Sequence, residues 1–202
     1  MQRVVLIGDS IRLGYEETVK KNLAGVAQVW SPTDNCQHTV NVLLNFYCWI
    51  QQQNPDVVHI NAGGWDVRNV VRGVPGNIVP LEQYRENVRR LLELIRQYTR
   101  ARIIWATITA MDIPANFRNH AATGHPARTE GDIERYNAAA LAVTGEMGVP
   151  VNDLYGVMMR AGKEKLLCPD GVHLTAEGYE MLGTVVAEAV QREMQRGSAA
   201  SG

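Results

Sequence analysis

What most limits the fold of this chain is a regular alternation of short, β-branched apolar runs with longer amphipathic segments, sustained from the first residues to the last. Residues 4–8 (Val-Val-Leu-Ile-Gly) read as a buried strand, and residues 26–30, 56–62, 103–109 and 149–152 as four more. Residues 11–24, 39–53, 81–99, 131–147 and 175–194 carry helical spacing. Thr39 and Thr175 stand at N-cap positions, and Gly148 follows the fourth of these helices. Strands that alternate with helices need right-handed crossovers, which give a mostly parallel sheet covered on both faces. The predicted fold is therefore α/β: a three-layer α/β/α sandwich around a flavodoxin-like parallel five-stranded sheet. No repeat or long linker divides the 202 residues, a length that suits one domain. That domain is expected to span residues 1–196, with the Gly/Ser/Ala tail 197–202 disordered.

In such sheets ligands sit outside the carboxyl ends of the strands. The loops after the first four strands, and the one before the last helix, are therefore the places to search for chemistry. Residues 111–129, with Pro114, Gly124 and Pro126, read as a long irregular loop, of the kind that usually forms a lid or binding loop. Residues 67–80 form a second long loop, after strand three.

The formal net charge of −1 gives no electrostatic footprint for nucleic acid or an anionic membrane. Arg85, Arg89, Arg90, Arg96, Arg100 and Arg102 cluster, but they alternate with apolar positions at helical spacing and read as a solvated helix face. Three widely spaced cysteines, Cys36, Cys48 and Cys168, suggest neither a disulfide framework nor a metal site. The opening MQRVVLIGDS lacks the long apolar region and cleavage site of a signal peptide, and no apolar run approaches a membrane span. The expectation is a reduced, cytoplasmic protein.

Two short blocks carry the chemistry. Gly8-Asp9-Ser10 ends the first strand. A serine there is presented at the sheet edge, and the helix that follows offers free backbone N–H groups to a developing oxyanion. The same tripeptide also serves as a simple helix cap. Asp170-Gly171-Val172-His173 precedes the last helix. One turn can hold both side chains, so that the carboxylate fixes the imidazole tautomer and the other ring nitrogen faces a nucleophile. A doubly wound sheet brings both blocks to one edge.

Gly8-Asp9-Ser10 and Asp170-x-x-His173 resemble the first and last blocks of the SGNH/GDSL hydrolase superfamily, and Ile7 to Tyr15 resembles a bacterial branch with a GDSIRxGY opening. The resemblance runs in order along the whole chain. It implies a serine esterase or acylhydrolase that cleaves carboxylic esters through an acyl-enzyme on Ser10. His173 is then the base and Asp170 its orienter, and no metal or organic cofactor is needed. The expected partner is a small-molecule ester, an acylated sugar or lipid included.

The middle blocks depart from the family pattern. Gln37 stands where a glycine normally donates its N–H to the oxyanion, which would need a conformation glycine adopts more easily. In Asn61-Ala-Gly63-Gly64-Trp65-Asp66 the usual third-block asparagine position holds Trp65, so Asn61 is the candidate amide donor. The expected oxyanion hole is thus Ser10 N–H, Gln37 and Asn61, with Asp9, His38 and Trp65 as substrate contacts. Core packing is the simpler role for Trp65 and Tyr15, and His59, inside strand three, reads as structural. Asp66 is placed to orient the third block or the helix that follows. His120 and His125, with Arg118 and Arg128 near them, are candidates for binding an anionic or polar substrate group. Two rival readings stay open: a carbohydrate O-acetylesterase, and a catalytically silent binding module on the same scaffold.

Overall fold

The computed structural model describes residues 1–71, 74, 76–123 and 127–199. Five parallel strands, β1 (Gln2–Gly8), β2 (Ala27–Trp30), β3 (Val57–Asn61), β4 (Arg102–Ala106) and β5 (Val151–Asn152), form one sheet in the order β2-β1-β3-β4-β5. This is the expected flavodoxin-like architecture. β1 pairs with β3 so that Gly8 lies opposite Asn61, which sets the ends of the first and third blocks side by side.

Side chains leave a strand alternately to its two faces. Val4 and Leu6 pack with α1 (Ser10–Asn22), α7 (Leu154–Ala161) and α8 (Ala176–Ala199). Val5 and Ile7 pack with α2 (Thr39–Leu44), α3 (Phe46–Trp49), α4 (Leu81–Tyr98) and α6 (Asp132–Glu146). Two apolar layers result, one on each side of the sheet. On α4 the buried stripe Tyr84, Val88, Leu91, Leu92 and Ile95 recurs every three to four residues. Truncating Leu91 to alanine would cost about 2–5 kcal/mol. Arg85, Arg89 and Arg90 of α4 pair with Glu82, Glu146 and Glu93, as a solvated face should.

Several elements differ from the sequence expectation. The helix expected over 39–53 is three pieces, α2, α3 and a 3₁₀ turn at Gln51–Gln53. Asn45 breaks it: its side-chain amide donates to the Asn41 carbonyl, and such local bonding competes with helix continuation. The cap of α2 is His38 rather than Thr39, with Nδ1 accepting from Asn41 N–H at 3.1 Å. The expected loop 111–129 contains a helix, α5 (Ile113–Thr123). Its start was readable in Asp112-Ile-Pro114, because aspartate caps and proline favours a first turn; Asp112 accepts from Ala115 N–H at 2.9 Å. α7 went unpredicted, although Asp153 caps it through Gly156 N–H at 3.0 Å. α8 continues to Ala199, beyond both residue 194 and the domain end set at 196. It takes in 197–199 of the tail expected to be disordered; residues 200–202 lie outside the described residues, as does His125.

Candidate active site

The carboxyl edge of the sheet opens into a cavity of about 400 Å³. Ser10, Asp170 and His173 line it, with Asn61 from the end of β3, Trp65 from the loop that follows it, and Asn116, His120 and Arg128 from the segment after β4. Ser10 is the first residue of α1, immediately after the β1 turn. Its hydroxyl lies 2.9 Å from His173 Nε2, and His173 Nδ1 lies 2.6 Å from Asp170 Oδ2. The other carboxylate oxygen of Asp170 accepts from the N–H groups of Val172 and His173, each at 2.9 Å. Burial works against the charge of Asp170, but these three hydrogen bonds and the imidazole outweigh it and hold the carboxyl below its ordinary value. An ionised Asp170 fixes the proton on Nδ1 and leaves Nε2 to accept from Ser10.

The turn that makes this possible depends on Gly171. Its φ is +75°, and an added Cβ would stand 2.4 Å from the Asp112 carbonyl oxygen. That close approach joins the turn to α5, because Gly171 accepts from Asp112 N–H at 2.9 Å and Asn116 donates to the Asp170 carbonyl at 3.4 Å. Behind Ser10, Arg12 is fully buried. It pairs with Glu16 and donates to the Asp34 carbonyl at 2.7 Å, tying α1 to the second-block loop.

Asp9 is nearly buried and caps α1, accepting from Ile11 N–H at 2.9 Å; burial raises its carboxyl, and the Ile11 N–H and Arg128 oppose the rise. It also lines the cavity, and an added Cβ on Gly64 would come within 2.7 Å of its Oδ2. Asn61 donates to the Thr107 carbonyl at 3.0 Å through one N–H of its amide, which leaves the second N–H of the same nitrogen. Gln37 has the positive φ, 56°, that a glycine position demands. Its N–H, however, already donates to Asn35 Oδ1 at 2.8 Å, and it does not line the cavity; Asn35 does. His38, committed to its helix cap, also stands outside the cavity lining. Asp66 receives the N–H and hydroxyl of Thr39, so the third block anchors the helix that follows the second. His59 is wholly buried, with Nε2 3.2 Å from the Asn152 amide.

Sequence reasoning passed over Asn35, Arg68 and Asn116. All are polar residues in loops or on an unpredicted helix, with no pattern to mark them before the chain is folded.

Fold and site together define a class: an α/β/α sandwich that brings a hydrogen-bonded Ser-His-Asp set together from the first turn and the segment before the last helix. The profile of the GDSL-like Lipase/Acylhydrolase family matches residues 6–181, and the chain belongs to that family. It is 26% identical over 142 residues to GDSL esterase/lipase CPRD49 of Arabidopsis thaliana, covering 68% of this chain and 55% of that protein. It is 26% identical over 132 residues to GDSL esterase/lipase WDL1 of Oryza sativa subsp. japonica, covering 63% of this chain and 50% of that one. The chain thus spans about half the length of these curated relatives. Its fold is similar to the lipase/acylhydrolase from Enterococcus faecalis, with a TM-score of 0.77 at 24% identity over 94% of this chain and 95% of that one. It is also similar to the acetyl xylan esterase AlAXEase, with a TM-score of 0.74 at 18% identity over 93% and 99% of the two chains.

Proposed function

We propose that this protein hydrolyses small carboxylic esters through an acyl-enzyme on Ser10. The observation that carries the reading is the unbroken chain Ser10 Oγ, His173, Asp170 at 2.9 and 2.6 Å. His173 Nε2 takes the Ser10 proton as the oxygen attacks the ester carbonyl, and Asp170 stabilises the imidazolium that forms. The same proton passes to the departing alcohol oxygen. Water, deprotonated by His173, then releases the acid and restores Ser10. The developing oxyanion is held by the Ser10 N–H at the start of α1, by the second amide N–H of Asn61 and by the Asn35 amide, which takes the place expected of the Gln37 N–H. Asp9 and Trp65 form part of the substrate's surroundings.

Four amides, Asn35, Asn61, Asn116 and Asn119, set among apolar Ile11, Ile108, Met111 and Val172 in a cavity of about 400 Å³, favour a small, polar ester over a long acyl chain. The same feature, and a fold shared with an acetyl xylan esterase, support an O-acetylated carbohydrate as a second reading. No helix among the described residues is long and apolar enough to cross a membrane. The three cysteines are free, which fits a reducing, cytoplasmic setting. Ser10→Ala should abolish both 4-nitrophenyl acetate hydrolysis and labelling by a fluorophosphonate, with Tm nearly unchanged. Full turnover in that variant would assign the chemistry to another residue, and no labelling of the unmodified protein would favour a silent binding module.

A further inference from the structure

Two arginines, Arg68 and Arg128, line the cavity that also holds Ser10, Asp170 and His173. Arg128 is 7% exposed and donates through Nε and Nη2 to the Gly64 carbonyl at 3.1 and 2.7 Å, and through Nη1 to Asn116 at 3.5 Å. A carbonyl and an amide orient its charge without neutralising it. Arg68 is half-buried, and its guanidinium lies 4.4 Å from the centre of the Trp65 ring. Its Nε is buried and has no hydrogen-bond partner among the described residues. The backbones of Arg68 and Arg128 are paired in an antiparallel bridge, so the two cations emerge from neighbouring positions.

Among the described residues neither arginine forms an ion pair. The acids whose charge acts on Arg128 are Asp9 and Asp170, and both have other tasks: Asp9 caps α1 and Asp170 holds His173. Burial pushes Arg128 down to about 10, with the neighbouring Arg68 cation adding to the effect and the two aspartates opposing it. Burial lowers Arg68 as well. Desolvating two like charges side by side is unfavourable unless an anion joins them.

We propose that Arg68 and Arg128 form an anion subsite, and that the ester this enzyme prefers carries a carboxylate-type anion outside the scissile bond. The planar fork of a guanidinium matches a carboxylate, and a face stacked on Trp65 leaves the fork's edge available to it. Pocket, nucleophile and anion site share one cavity of about 400 Å³, so anion and reacting carbonyl belong to one small molecule.

This inference rests on the ester-hydrolase reading, and its test separates the two. Matched esters place the charge on either side of the bond. Mono-(4-nitrophenyl) glutarate against 4-nitrophenyl pentanoate probes the acyl side, and 4-acetoxybenzoate against 4-acetoxybenzamide the alcohol side. At low salt the anionic member of at least one pair should have a kcat/KM at least tenfold higher, and the advantage should shrink as ionic strength rises. Arg68→Gln should bring that ratio close to one, and Arg68→Lys should keep part of it. The ratio within each variant is the readout, because a folding defect lowers both esters alike. Arg128 is too deeply buried to serve as the first variant. In parallel, calorimetry on Ser10→Ala should show mono-(4-nitrophenyl) glutarate binding at least tenfold more tightly than in Ser10→Ala/Arg68→Gln. Ratios near one in both pairs, or a preference that survives Arg68→Gln, would overturn the subsite. Absent hydrolysis combined with Arg68-dependent binding would overturn the catalytic reading and keep the subsite.

Discussion

Asn61 is the residue whose role most needs a measurement. It ends β3 opposite Gly8 and lines the cavity with one amide N–H uncommitted. A donor aimed at the oxyanion is worth about 3–4 kcal/mol in the transition state, so Asn61→Ala should lower kcat on the order of a hundredfold to a thousandfold. Fluorophosphonate labelling of Ser10 should slow yet persist, since nucleophile and base remain. Trp65→Phe should have a much smaller effect, because it keeps most of the ring beneath Arg68. Steady-state kinetics on short aryl esters decide the order; the reverse ranking would transfer the donor role to the indole N–H. Asn61 stood out in the sequence only through an altered third block. The distinction between Asn35 and Gln37 was not legible there, because it turns on which N–H a local Asx turn consumes.

At the scale of elements, the turn before α8 depends on α5. Gly171→Ala adds a methyl 2.4 Å from the Asp112 carbonyl and 2.7 Å from Asn116 N, at a φ of +75°. Holding alanine in that region costs about 1–3 kcal/mol, and relieving the contact must move the turn or α5. Thermal unfolding should shift down accordingly, and kcat should fall at least tenfold as His173 leaves its 2.9 Å contact with Ser10. Unchanged Tm and turnover would mean that α5 yields freely. Strands and the long helices were readable from periodicity, since burial of one face imposes it. Short helices such as α5 and α7 expose too few turns for periodicity to register, and only their capping residues announced them.

Across the whole molecule, two buried groups give folding opposite pH dependences. Burial pushes Asp66 up to about 7, against about 3.9 in an unfolded chain. The folded state therefore holds an extra proton between those values, and stability falls as pH rises through that window. Burial pushes His59 down to about 3, against about 6.5 unfolded. There the unfolded state binds the extra proton, so stability is lost as pH falls below about 6.5. Relative to the unmodified protein, Asp66→Asn should gain in Tm as pH rises from 4 to 7 and then level off. His59→Gln should show the opposite trend. Parallel Tm curves for all three proteins would refute both assignments. The order of elements, the parallel sheet and the two blocks, Gly8-Asp9-Ser10 and Asp170-x-x-His173, were legible in the sequence itself, because patterned burial and turn chemistry are written into short stretches of chain; their meeting across 163 residues follows from the doubly wound topology. The cation pair of Arg68 and Arg128, the bracing of the Asp170 turn by Asn116, and the anchoring of Thr39 by Asp66 were decided only by tertiary structure. Each joins segments dozens of residues apart, and no local pattern records which loops a folded sheet brings to the same edge.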